Sequence, residues 1–285
     1  MDYLNLFWKR KQLLIVFSIL ILLNSLTLLF SDMTNSRYVR LISTAFFVLF
    51  YLVMSKRRNN YVLAVLFFFL LKDIFIQSYE EGVGYIMYLA FGILAYTTLV
   101  IERLPKLKEI TLNKTLVFVS ILLITANTYT LHVIMNMIGF VFESTTQVAM
   151  FYMYGAFMMI LSVSAVAYNN QANSNRSLLF TFMVFAFILS DVTSLFAYYF
   201  GIEFCYYIDR VSYLLGFAFL INYGLNFSLI REEKQQLEQL IGNEYAEIED
   251  FDYSAFAKAY SEEFEIADSK ASLYTFLENR NAKDG

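Results

Sequence analysis

The chain carries one cysteine (Cys205), one histidine (His132) and one proline (Pro105). A lone cysteine leaves no partner for an intrachain disulfide. With a single histidine beside it, no Cys/His zinc cluster can be assembled. One proline and 10 glycines provide few helix breakers, so long uninterrupted helices are expected. Charge is also scarce: 16% of residues are charged, against about a quarter in ordinary soluble chains. The net charge of −4 gives no electrostatic case for nucleic acid. No metal- or nucleotide-binding motif is present, so no cofactor is expected. The short alternating segments of a β-barrel are missing too.

What fills the chain instead is apolar sequence: 59% of the residues are hydrophobic, with 30 Phe and 22 Tyr. Apolar runs fall at 13–30, 38–54, 61–78, 83–101, 115–134, 146–168, 177–200 and 207–230. Each is near the roughly 20 residues that cross a hydrocarbon core. The fold class expected is therefore all-α, a polytopic transmembrane bundle of about eight spans over residues 1–230. The second run is the shortest and carries Arg40 near its start. Trp8-Lys9-Arg10-Lys11 before the first run resembles the front of a signal peptide. The run is long and lacks a small-residue cleavage site, so it reads as a retained first helix.

Loop charges set the orientation. Thirteen basic residues fall on one side: Lys9, Arg10, Lys11, Lys56, Arg57, Arg58, Arg103, Lys106, Lys108, Lys114, Arg176, Arg231 and Lys234. Three fall on the other: Arg37, Arg40 and Arg210. The positive-inside rule then predicts both termini in the cytoplasm, most simply of a bacterial inner membrane. Residues 231–285 form an acidic cytoplasmic tail with 14 Asp/Glu against six Lys/Arg. Its first stretch, Arg231 to Leu240, reads as a continuation of the last span, interrupted near Gly242. Residues 254–277 could form an amphipathic helix for a cytoplasmic protein partner. The larger expectation for the tail is a partly disordered, solubilising segment.

Ionisable residues inside spans are costly and mark interior cavities or partners. They are Lys72 and Asp73 in the third span, Asp191 in the seventh, His132 near the end of the fifth, and Asp209-Arg210 at the start of the eighth. Asp209-Arg210 reads as an interfacial helix start and His132 as a hydrated interfacial residue. Lys72 could snorkel or pair with an acid. Asp73 and Asp191 lie about a dozen and about fourteen residues into their spans, too deep for short acids to reach water easily. Their surroundings are alike: Phe67-Phe68-Phe69-Leu70-Leu71-Lys72-Asp73 against Phe185-Ala186-Phe187-Ile188-Leu189-Ser190-Asp191. Each acid falls in the third span of a four-helix half. A 4+4 parallel repeat would therefore set the two carboxylates at matching depth across a central cavity.

Ser190-Asp191, followed by Tyr198, Tyr199 and Tyr213, and Asp73 after its apolar run, resemble the YhhN family of eight-span membrane proteins. Characterised animal members of that family are lysoplasmalogenases. The resemblance covers residues 10–230, and Lys72 stands where the family usually has glycine. It implies a hydrolase that cleaves the vinyl ether of a single-chain phospholipid, with Asp73 and Asp191 as catalytic acid and base. Ser190, Tyr198, Tyr213, Lys72 and His132 would then stand around the substrate. Protonation of the enol ether and addition of water to an oxocarbenium ion is chemistry that two carboxyl groups can divide between them. The rival expectation is a non-enzymatic membrane sensor whose tail recruits a partner.

Overall fold

A computed structural model describes residues 11–55, 59–107, 114–172 and 174–245, with side chains up to Leu225. Eight helices long and apolar enough to cross a membrane account for the described chain, so the protein is a multi-pass integral membrane protein. They are α1 (Lys11–Phe30), α2 (Met33–Met54), α3 (Asn60–Phe75), α4 (Gly82–Leu107), α5 (Lys114–Ile138), α6 (Thr145–Ala172), α7 (Asn175–Phe200) and α8 (Glu203–Tyr245). Single 3₁₀ turns, Ile76–Ser78 and Gly139–Val141, follow α3 and α5.

Local chemistry explains the helix ends. The Asn59 side chain accepts from the Tyr61 amide and starts α3. A reciprocal Ser174/Ser177 capping box starts α7, and Gly201 at φ 65° ends it in the left-handed region. The tight return from α3 into α4 requires glycine at 84, where a Cβ would lie 1.9 Å from the Ser78 carbonyl oxygen.

The most and the least apolar spans differ in burial. The first span has a mean hydropathy of 2.7 and is 17% buried, whereas residues 203–225 of α8 have 1.3 and are 56% buried. A helix enclosed by other helices faces side chains instead of lipid, so it tolerates polar groups that bond across the interface. At the centre, Phe69 of α3 stacks on Phe187 of α7 at 4.5 Å between ring centroids. Phe217 of α8 packs edge-on against both, and Phe47 of α2 stacks on Phe217. Such ring pairs contribute about 0.5–1.5 kcal/mol each beyond simple contact. By contrast α5 is peripheral, with 6% of its span buried.

The chain divides into two units, and one helix end differs from the sequence reading. The compact bundle ends at Leu225, and Asn226–Gly285 form a separate unit. Helix α8 also runs through Gly242 without interruption to Tyr245. The amphipathic stretch at 254–277 lies outside the described residues.

Candidate functional site

Six buried ionisable side chains converge where α2 and α8 begin and α3 and α7 end. They form four ion pairs. Asp73 is fully buried and receives three donors. Arg40 Nε of α2 donates to Oδ1 at 3.0 Å. Thr44 Oγ1 of α2 and the Tyr213 hydroxyl of α8, the latter at 2.7 Å, donate to Oδ2. The Arg40 guanidinium lies 3.8 Å from the centre of the Tyr213 ring.

Asp191 of α7 is held in a parallel way. Lys72 Nζ of α3 donates to Oδ1 at 2.8 Å. The hydroxyls of Tyr154 (α6, 2.6 Å) and Tyr96 (α4) donate to Oδ2. Lys72 Nζ also donates to the Tyr154 hydroxyl at 2.6 Å. The ammonium is fully enclosed, with the faces of Tyr88 and Tyr154 4.8 and 5.1 Å away.

The two acids exchange partners across the bundle in a matched pattern. Each accepts from the second helix of its own half and from the fourth helix of the other half. Asp73 uses α2 and α8; Asp191 uses α6 and α4. Phe69 and Phe187, each four residues before its aspartate, meet on the axis between them. Lys72 departs from the pattern, because its counterpart Ser190 instead donates to Asp209 Oδ1 at 2.6 Å. Arg210 Nη1 donates to Asp209 Oδ2 at 2.9 Å, and Arg210 Nη2 donates to Ser36 at 3.0 Å. Arg40 Nη1 stands 3.5 Å from the same Asp209 oxygen. Asp209 and Arg210 are 1% and 4% exposed, which corrects their reading as an interfacial helix start.

Beside this network lies an open cavity of about 100 Å³. Asp191, Arg40, Asp209 and Arg210 line its polar wall. Tyr88 and Tyr154 flank them, and Leu89, Leu131, Ile134 and Met158 supply an apolar wall. At the rim, Arg37 makes a two-point bond to Glu80, at 2.6 and 3.0 Å, and Tyr198 donates to the same carboxylate. The hydrogen bond from Arg37 holds the Glu80 carboxyl below its ordinary range.

The residues singled out in the sequence therefore separate. Asp191 and Tyr198 line the cavity. Lys72 and Ser190 are buried behind its wall and reach it through Asp191 and Asp209, and Tyr213 is buried against Asp73 and Arg40. Asp73 is enclosed by its three donors and is not among the lining residues, so the two aspartates do not face each other across one cavity. His132 is exposed on α5, bonded to Asn136 at 3.0 Å and away from the site. The groups unforeseen from sequence are Arg40, Thr44, Tyr96 and Tyr154. Arg40 alone carried a signal, as a charge inside an apolar run. Among the described residues no group of three or more His, Cys, Asp or Glu is placed to hold a metal ion.

No family model, no curated protein and no solved structure matches the chain.

Proposed function

We propose that the chain is a membrane-embedded hydrolase of the lysoplasmalogenase type, with its reaction centre at Asp191. The observation that supports it best is a carboxylate in a cavity wall, fixed by one ammonium and two phenols, beside a long apolar surface. The resemblance at Asp73 and Ser190-Asp191 supplies the vinyl-ether substrate. Orientation by loop charge puts both termini in the cytoplasm of a bacterial inner membrane, with the cavity on the outer side.

The division of labour differs from an acid–base pair of aspartates. A carboxylate bonded to a cation and two hydroxyls is an acceptor. Asp191 stabilises the oxocarbenium ion and takes a proton from the attacking water. The proton for the enol-ether carbon comes from the Tyr154 hydroxyl, which lines the cavity and is replenished by the Lys72 ammonium bonded to it; the proton that Asp191 takes from water then returns to Lys72 across their 2.8 Å bond. One water is consumed, and a fatty aldehyde and a free glycerol hydroxyl are released. Asp73 positions Arg40 and does not touch substrate.

The test is aldehyde release from a lysoplasmalogen by the protein in lipid nanodiscs, followed with a coupled aldehyde dehydrogenase. Asp191→Asn is expected to lower turnover by about 10²-fold or more, with the protein still folded. Absence of aldehyde from the wild type, or full turnover in Asp191→Asn, refutes the reading.

One observation favours a sensor. Helix α8 bears Asp209, Arg210 and Tyr213 at the site and continues as one helix to Tyr245. Removal of residues 236–285 separates the two readings, since hydrolysis survives it and signalling does not.

A further inference from the structure

Arg40 is 1% exposed, yet most of its hydrogen-bonding capacity is unused. A guanidinium has five N–H donors, and Arg40 uses Nε on Asp73. Neither terminal nitrogen has a hydrogen-bond partner. The one carboxylate oxygen near Nη1 is at 3.5 Å, well outside the ~2.7–2.9 Å of a charge-assisted bond. That carboxylate, Asp209, is already taken by Ser190 and Arg210. Arg210 has the same deficit on a smaller scale, with its Nε unpartnered at 4% exposure. The Tyr85 hydroxyl, also in the cavity lining, is unpartnered as well. Buried donors left unmade are costly, and native structures seldom keep several in one place without a ligand. Here they line one cavity, together with apolar residues.

We infer that this corner of the cavity is an oxyanion-binding subsite. The Arg40 fork is its principal ligand and Arg210 its second, and it receives a phosphate or carboxylate group. The planar, rigid fork matches two oxygens of such a group at once, which an ammonium cannot do. The apolar wall of Leu89, Leu131, Ile134 and Met158 favours an oxyanion that heads a single alkyl chain. The subsite deepens the hydrolase reading and rests on it for the placement of a substrate. Anion binding itself requires no turnover.

Binding is measured by calorimetry on the full chain in a neutral maltoside detergent. The probes are dodecyl phosphate, inorganic phosphate and uncharged 1-O-dodecylglycerol. Dodecyl phosphate is expected to saturate one site, about tenfold or more tighter than dodecylglycerol. Arg40→Lys keeps a cation for Asp73 but loses the fork. It is expected to weaken dodecyl phosphate about tenfold while leaving dodecylglycerol unchanged. Arg210→Gln, which leaves the Arg40–Asp73 pair in place, gives a second reading on the same wall and is expected to weaken dodecyl phosphate by a smaller factor. Competition by inorganic phosphate assigns the subsite to a free oxyanion; its failure to compete assigns it to the head of an amphiphile. Equal affinity for the charged and uncharged probes overturns the subsite, as does undiminished dodecyl phosphate binding in folded Arg40→Lys. A protein that binds dodecyl phosphate but releases no aldehyde keeps the subsite and loses the hydrolase reading.

Discussion

The Lys72–Asp191 pair gives the sharpest test of how the bundle is held together. Both side chains are buried, at 0% and 7% exposure, and the pair ties α3 to α7. Replacing Lys72 by Met leaves a carboxylate in the interior without its cation. Replacing Asp191 by Asn leaves an enclosed ammonium among four aromatic rings. Breaking one side of a buried pair costs about 3–5 kcal/mol, whereas removing both charges together is far cheaper. In the double variant the amide introduced at position 191 still accepts from Tyr96 and Tyr154, so the expected loss is about 1–2 kcal/mol. The double-mutant cycle should therefore show a coupling of about 4 kcal/mol or more, a thousandfold or more in the unfolding constant. The assay is reversible unfolding in bicelles at fixed pH and lipid composition, monitored by steric trapping. The Arg37–Glu80 pair serves as control, because the Glu80 side chain is 57% exposed; its coupling should stay under about 1 kcal/mol. A Lys72–Asp191 coupling as small as that of the control would refute the placement of the ammonium.

Two further perturbations address packing and pH. A Cβ on Gly92 would lie 2.3 Å from the Tyr154 ring, so Gly92→Ala must displace the phenol that joins Lys72 to Asp191. We expect a stability loss of about 1–3 kcal/mol and a fall in aldehyde release of tenfold or more. Gly139→Ala, whose Cβ would meet only Met135 at 3.6 Å, should leave both unchanged. Because Arg37 lowers the Glu80 carboxyl in the folded protein, the rim bond contributes fully above the ordinary value of 4.5. Its contribution is lost as pH falls through the lowered value. A Glu80→Gln variant should flatten that acid limb in thermal melts by under about 1 kcal/mol, given the exposure of the group; a wild-type limb in the variant would show that Glu80 is not its source.

The spans were legible because lipid imposes a demand on every residue that faces it, and that demand is written in hydropathy. Where protein replaces lipid the signal fades. The second helix begins at Met33 and not near 38, since Arg37 and Arg40 lie within it, bonded to Glu80 and Asp73. Hydropathy sees only two charges there and ends the span. Asp209-Arg210 read as interfacial for the same reason. Their partners, Ser190, Ser36 and Arg40, lie between 19 and 174 residues away, and only the fold brings them near. The two aspartates stood out in the sequence and are buried in the bundle, but their phenolic donors did not stand out. Tyr96 and Tyr154 are two of 22 tyrosines, and nothing in their local sequence separates them from the others.

The charge arrangement explains how a bundle of this kind tolerates such a centre and why it works asymmetrically. Arg40, Lys72 and Arg210 balance Asp73, Asp191 and Asp209. The buried network is thus neutral in sum, and the desolvation of each ion is offset by a partner at hydrogen-bond range. Were the halves equivalent, Asp73 and Asp191 would be equally exposed to a ligand. The position before each aspartate breaks the equivalence. Ser190 is short and turns to Asp209, which in turn holds Arg210 against the cavity. Lys72 is long enough to cross to the opposite half and pair with Asp191 from behind, through the α3–α7 contact. Asp191 therefore lines the cavity with Lys72 paired to it, and Asp73 is closed off by Arg40, Thr44 and Tyr213. In the proposed hydrolase the lysine confines the chemistry to a single carboxylate. A chain with glycine at that position would have to find another counter-charge for its second acid, or hold that acid protonated.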